Sequence, residues 1–323
     1  MTAHSEATPI VAIIGGSGFV GRYIAQAMAK RGWRVRVGCR RPNEALFVKP
    51  YGAVGQVEPV QCNIRDDASI QKIIAGSSAG VTCVGILFES GRHQVEASQD
   101  EGAGRVARIA AAEGVSRRVH ISAIGAAVDS PAAYARTKAR GEAAVIGAFP
   151  NAVVLRPSIV FGPEDQFFNR FAAMTRISPI LPVVGAETRF QPVWVQDVAD
   201  AAARAAAGDV SPDIYELGGP NIYSFRDLIT LMLATVKRKR LIVNIPFFAA
   251  RIQASVMQLL PTPPLTVDQV RMLETDNVVS SGAKGFADLG IDPTAPESII
   301  ESYLYAHRPY GQYTALTDGV DRD

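Results

Sequence analysis

The chain has 323 residues, 48% of them hydrophobic and 20% charged, with a formal net charge of +2. That length supports a large core, built as one α/β domain or as one domain plus a small lobe. The near-neutral balance argues against a nucleic-acid partner, whose phosphates demand a basic face that shows in the net charge.

Three cysteines, Cys39, Cys62 and Cys83, lack the paired spacing of a zinc site or a disulfide framework, so a reducing compartment is expected. The histidines at 4, 93, 120 and 307 lack ligand spacing, and no metal is expected. Residues 1–9 read as a short polar tail without an apolar signal core. No run of about 18 apolar residues appears, which excludes a membrane-spanning helix. The expectation is a cytoplasmic protein of bacterial type.

The first predicted strand is the apolar run Ile10–Ile14, and the helical pattern Tyr23–Lys30 follows it. Between them stands Gly15-Gly16-Ser17-Gly18-Phe19-Val20-Gly21, which satisfies both G-x-x-G-x-x-G and G-x-G-x-x-G. A strand, a tight glycine turn and a helix N-terminus form an anion cradle for a dinucleotide pyrophosphate. Arg34–Cys39, Gln56–Cys62, Gly80–Leu87, Arg118–Ser122 and Ala152–Arg156 read as strands two to six. Ala68–Ala75, Val95–Glu113 and Ala132–Phe149 read as intervening helices. Such alternation predicts a doubly wound, Rossmann-type parallel α/β sheet. Val193–Ala207 reads as a returning helix and Ile214–Leu217 as a further strand; from Phe225 onward the chain reads as helical and proline-punctuated. The expected division is a tail (1–9), a nucleotide-binding domain (10–224), a small, mostly helical C-terminal lobe (225–310, with part of 164–192) and a solvated tail (311–323).

The second strand ends at Cys39-Arg40-Arg41. An NAD-preferring domain carries a carboxylate about twenty residues past the glycines, for the ribose 2′-hydroxyl. Two arginines stand here instead, and a guanidinium fork suits the 2′-phosphate of NADP(H). Asn63 and Ile64 close the third strand where an adenine ring would lie, and Asn63 offers it a donor and an acceptor. Gly15, Ser17, Gly18, Phe19, Val20 and Gly21 at the turn, with Val84 and Gly85 on the fourth strand, complete the expected cofactor lining. Tyr134 and Lys138 stand at i and i+4, on one helix face. In a dehydrogenase such an ammonium draws the phenol toward a useful pKa and also reaches the nicotinamide ribose.

The glycine turn, Tyr134 with Lys138, Leu155-Arg156-Pro157-Ser158 with Phe161-Gly162-Pro163, and Val195-Gln196-Asp197-Val198-Ala199 together resemble the short-chain dehydrogenase/reductase superfamily, extended or atypical branch. The resemblance implies that Pro157, Ser158 and Ile159 pass the nicotinamide. It also implies a catalytic serine or threonine closing the fifth strand. Ser122 is the available residue, while the usual position falls on Ala123 or Ile124. Loss of a preorganised oxyanion donor costs on the order of a hundred-fold in rate, so weak or absent turnover is implied.

A narrower resemblance rests on Tyr134–Lys138, Ala148–Ala152, Val160–Phe167, Gln191–Val195, Leu265–Val270 and Asp276–Val279. These blocks are similar to the family of nucleotide-binding accessory subunits of respiratory complex I (NADH:ubiquinone oxidoreductase) and its bacterial relatives. That resemblance implies a held NADPH without turnover, complex I partners near the quinone-reducing arm, and a peripheral place on the cytoplasmic face of the inner membrane. Lys237, Arg238, Lys239 and Arg240 precede a 246–260 helix whose Phe248, Ile252, Val256, Leu259 and Leu260 outweigh a polar stripe of Arg251, Ser255 and Gln258. This pairing suits a membrane surface, or a helix packed on its own lobe. Two rivals stay open: an active NADPH-dependent reductase or epimerase/dehydratase acting on a sugar nucleotide or a quinone-pathway intermediate, and a binding protein that senses the NADPH/NADP ratio.

Overall fold

A computed structural model describes residues 8–85, 101–258, 260, 263–309 and 311. The proposed tails at 1–9 and 311–323 therefore lie almost wholly outside the described residues, as do Leu87, the Val95 end of the third helix, and Leu259.

Alternating apolar runs and amphipathic helices give β1 (Ile10–Ile14), α1 (Phe19–Lys30), β2 (Arg34–Cys39), β3 (Val57–Gln61), α2 (Asp67–Ile74), β4 (Ala79–Thr82), β5 (Arg117–Ile121) and β6 (Val153–Pro157). Helix Glu101–Ala112 precedes β5, helix Ala133–Ala148 precedes β6, and helix Val195–Ala207 leads to strand Ile214–Leu217. Observed ends differ from the expected ones by a residue or two where local chemistry decides. Asp66, for example, caps α2 by accepting from the Ala68 amide, so the helix starts at Asp67. A larger difference falls at Val193–Trp194. These two residues pair in parallel with Val160–Phe161, and their ladder defers the expected helix to Val195.

Seven strands form one sheet in the order Ile214–Leu217, β6, β5, β4, β1, β2, β3. β1 pairs in parallel with β2 on one side and β4 on the other, with β2–β3, β4–β5 and β5–β6 also parallel. Strand order thus reverses between β1 and β4, and ligands of doubly wound sheets bind beyond the carboxyl ends at that point. Val11, Ala12, Ile13 and Ile14 of β1 are all buried, and so is every residue of β4, as expected of strands covered on both faces.

The chain divides into two compact units. One comprises Met1–Pro157, Gln196–Glu216 and Gly282–Ile291; the other comprises Ser158–Val195, Leu217–Ser281 and Asp292–Asp323. The chain thus crosses between units several times, and the second unit takes in 164–192 as well as the residues after Phe225. From Phe225 onward the described elements are helical apart from one strand. Leu241–Ile245 forms a parallel two-stranded ribbon with Ile180–Val184, over a core that includes Phe161, Phe168, Leu181, Val183 and Met232.

Candidate functional site

Backbone bonds close the glycine turn of the first β–α connection, and the Arg22 guanidinium adds bonds to Gly18 O and Ser17 O at 3.2 and 3.3 Å. The Gly15 amide donates to Gly38 O at 2.9 Å, Gly16 to Ile13 O at 3.2 Å, and Gly18 to Gly15 O at 3.0 Å. Gly15 sits at φ +82°, the left-handed region where a side chain is strained. A Cβ on Gly21 would overlap the Gly15 carbonyl and stand 2.7 Å from Gly16 Cα, so α1 can approach the turn only as glycine. Gly18 is the N-cap of α1, with no side-chain cap and no acidic residue in the first turn. The first amides of a twelve-residue helix are thereby left to an anion. Gly15 also abuts the end of β4: a Cβ there would stand 3.1 Å from Val84 Cγ2. The structure therefore brings the turn and Val84 together at the point of strand reversal.

Arg40 and Arg41 are exposed at the end of β2. Arg41 pairs with Glu44 at 2.9 Å, with both side chains more than two-thirds exposed. Such a pair is worth at most about 1 kcal/mol and yields readily to a phosphate. Asn63 is less open than expected. Its Oδ1 accepts from the Arg65 amide at 3.1 Å, and its main chain is tied to Ser69. The side-chain NH₂ and one carbonyl lone pair remain for an adenine. Ile64 and Val84 pack, half-buried, against the core beneath α2, and Gly85 is exposed.

Tyr134 and Lys138 do share a face of helix Ala133–Ala148, with Lys138 Nζ 5.8 Å from the centre of the tyrosine ring. Their electrostatics run opposite to expectation. Burial pushes the Tyr134 phenol up to about 12, while burial pushes the Lys138 ammonium down to about 8 against the opposing pull of Glu142. Lys138 Nζ donates to the Ile121 carbonyl at 3.2 Å. The desolvation cost exceeds the help one ammonium gives a phenolate at that range.

Ser122 is buried, and its Oγ has no hydrogen-bond partner among the described residues. Its amide donates to Leu155 O at 2.7 Å, which fixes it at the end of β5 beside β6. Pro157 ends the first unit, buried at the tip of β6. Ser158 and Ile159 open the second unit, where the Ser158 hydroxyl is engaged by Asn277 O and Oδ1 at 2.9 and 2.7 Å.

Several polar residues that sequence reasoning left aside are fixed within these units. Arg156 makes a bidentate pair with the buried Glu142 and lies 3.6 Å from Glu216, so it steadies the helix that carries Lys138. Arg118 and His120 lie with Ser122 on one face of β5. Arg118 Nη2 donates to Thr82 Oγ1, whereas Arg118 Nε and Nη1 and both His120 nitrogens lack partners among the described residues. In the second unit the two blocks Gln191–Val195 and Asp276–Val279 meet. Asn277 N donates to Arg189 O, Gln191 N to Asn277 O, and Val279 N to Gln191 Oε1 at 2.8, 3.2 and 3.0 Å. Cys39, Cys62 and Cys83 are free thiols, and among the described residues no cluster of three potential ligands holds a metal. His4 and His93 lie outside the described residues.

A reversing parallel sheet with an uncapped, glycine-lined helix tip defines the Rossmann-type NAD(P)-binding fold. The chain belongs to the NAD dependent epimerase/dehydratase family, which matches residues 11–218. It is 32% identical over 323 residues to NADH dehydrogenase [ubiquinone] 1 alpha subcomplex subunit 9, mitochondrial, of Arabidopsis thaliana, covering 95% of this chain and 80% of that protein. It is 30% identical over 195 residues to the ceramide reductase of Caulobacter vibrioides, covering 60% of each. Among solved structures, the NADPH-dependent quinone oxidoreductase QOR2 of Escherichia coli shares the fold at a TM-score of 0.72 and 16% identity, over 91% of this chain and 99% of that one.

Proposed function

We propose that this chain is an NADP(H)-binding accessory subunit of respiratory complex I that holds its nucleotide without turning it over. Gly15, Ser17, Gly18, Phe19, Val20 and Gly21 would cradle the pyrophosphate, and Arg40 with Arg41 would take the 2′-phosphate. Asn63, Ile64, Val84 and Gly85 would line the adenosine side. Tyr134, Lys138, Pro157, Ser158 and Ile159 would face the nicotinamide half. A bound nucleotide supplies hydride chemistry; the protein's part here is to bind and orient it. The observation that carries the reading is the 32% identity to a complex I subunit over 95% of the chain, beside a Lys138 ammonium that is given to the Ile121 carbonyl at 3.2 Å.

The relatives named as complex I subunits support the choice of partners, and the basic run Lys237–Arg240 with helix Phe247–Met257 supports a seat on the cytoplasmic face of the inner membrane. No helix among the described residues is long and apolar enough to cross a membrane. Affinity purification of the chain from its host, with nucleotide extraction from the eluate, tests the reading. Complex I subunits together with stoichiometric NADPH are expected. A nucleotide-free chain that enriches no complex I subunit overturns it.

A second reading is an active NADPH-dependent reductase or epimerase/dehydratase, with Tyr134 as acid, Lys138 as its modifier and Ser122 as carbonyl donor. The Caulobacter relative and the buried, unpartnered Ser122 hydroxyl favour it. Substrate-dependent NADPH consumption that Tyr134→Phe abolishes would decide for this reading.

A further inference from the structure

We propose that the outer face of the ribbon formed by Ile180–Val184 and Leu241–Ile245, with the cations fringing it, docks on an anionic phospholipid bilayer. The inference deepens the membrane contact suggested above by naming a second element and its lipid class.

The ribbon alternates as a half-buried sheet does. Leu181 and Val183 point into the core of the second unit and are buried. Ile180, Pro182, Leu241 and Val243 point the other way and are exposed. The register pairs Leu241 with Ile180 and Val243 with Pro182, so these four apolar side chains form one continuous patch. Ile177, 90% exposed, lies just before it. Nothing in a two-stranded ribbon requires aliphatic residues on a wet face, where charged ones would guard the edges better.

Charge identifies the occupant. Residues 176–184 and 237–245 carry five basic and no acidic side chains. Among the described residues, Arg176, Arg238, Lys239 and Arg240 have no carboxylate within ion-pairing distance. Three of these cations crowd one another: the Arg238 guanidinium is pushed down by burial and then by Arg240 and Arg176. Arg238 and Arg240 also spend donors on the His307 and Thr175 carbonyls, which fixes them beside the ribbon. An aliphatic patch fringed by these four cations, with Glu301 acting, within this basic run, only on the neighbouring Lys237, matches the acyl–headgroup boundary of an anionic membrane. Helix Phe247–Met257 continues the pattern. It buries Ala250 and Ala254 and exposes Phe248, Ile252 and Val256 one turn apart.

The test is co-sedimentation of the full-length protein with phosphatidylcholine vesicles, with and without phosphatidylglycerol, at low and high salt. Binding is expected only with phosphatidylglycerol and is expected to weaken with salt. The pair Arg176→Glu with Lys239→Glu should lower partitioning at least about twentyfold, because each basic side chain near the surface contributes about fivefold. Ile180→Ser with Leu241→Ser should lower it about tenfold or more. Val54→Ser, exposed in the other unit, should change nothing. Circular dichroism confirms that each variant folds. Absent or lipid-indifferent binding of the natural sequence, or ribbon variants that bind like it, overturns the proposal. Co-purification with complex I is scored separately on the natural sequence: its presence without vesicle binding overturns the lipid surface alone, and its absence with vesicle binding intact overturns only the complex I reading.

Discussion

Lys138 Nζ lies 5.8 Å from the centre of the Tyr134 ring, yet it gives its hydrogen bond to the main-chain carbonyl of Ile121 at 3.2 Å. The ammonium is thus spent on the end of β5 and buried there. Its folded pKa, about 8, lies below the ordinary 10.5. A depressed lysine contributes stability that is fully present above its unfolded pKa and is lost as pH falls through the folded one. The unfolding free energy of the natural protein relative to Lys138→Met, from urea titrations, should therefore rise between pH 8 and about 10, by up to about 3 kcal/mol. The raised Cys39, Cys62 and Cys83 thiols act in the opposite sense above about pH 9 in both proteins, and the difference removes them. Above about pH 10 the raised Tyr134 acts in the opposite sense, because the unfolded phenol ionises first. Equal slopes in the natural protein and Lys138→Met would show that this ammonium is not desolvated.

The glycine turn separates fold from binding. Gly21→Ala places a methyl group against the Gly15 carbonyl and Gly16 Cα, both rigid backbone, so α1 must shift. Destabilisation of about 2–4 kcal/mol is expected, by thermal or chemical denaturation, together with loss of nucleotide binding. Gly18→Ala is a milder change for the fold. Gly18 has ordinary φ, and its Cβ would meet only Gly15 O at 3.2 Å. The fold should survive with less than about 1 kcal/mol lost, while dinucleotide affinity measured by calorimetry falls at least about tenfold.

This contrast shows what the sequence could disclose. The β1–turn–α1 unit was legible because its hydrogen bonds run within the turn or to Gly38 on the next strand, and glycine spacing reports close approach directly. Strand Ile214–Leu217 was legible from its apolar run between turn signals. The pair Val193–Trp194 was not, because its ladder partner is Val160–Phe161, some thirty residues away. Nothing in the sequence marked Arg118 and His120 as buried; their parallel neighbours β4 and β6 bury them. Helix Phe247–Met257 misleads by hydrophobicity. Its small Ala250 and Ala254 pack in one cluster with Val270, whereas Phe248, Ile252 and Val256 face outward. The direction of the Tyr134 shift was out of reach for a similar reason: spacing fixes the helix face, whereas burial depends on what covers it.

Cofactor choice rests on Arg40 and Arg41. Arg40→Ala with Arg41→Ala should weaken NADPH by about ten- to hundredfold and leave NADH nearly unchanged, as two charge-assisted phosphate contacts require. Glu44→Ala releases Arg41 from its exposed ion pair and should strengthen NADPH binding slightly, by no more than about fivefold. Fluorescence titration of both nucleotides with all three proteins checks the pattern. An unchanged NADPH-to-NADH ratio in the double variant would remove the argument for the phosphorylated cofactor.

Among the described residues, Arg118 is the largest fully buried side chain, and it has no carboxylate partner there. Its guanidinium is pushed down to about 10 by burial, lies beside Gly80, and has Thr82 Oγ1 as an acceptor. Gly80 directly opposite provides the space, because a Cβ there would stand 2.9 Å from Arg118 Nη1. A buried charge without a counter-ion costs several kcal/mol, so an apolar side chain of similar length should do better. Arg118→Met should raise the unfolding free energy by about 1–4 kcal/mol. His120, which burial, Lys138 and Arg118 together hold well below the ordinary range, should regain part of its basicity in that variant. Proton NMR of the imidazole follows that change, and a destabilised Arg118→Met would mean that a bound anion or ordered water neutralises the arginine in solution.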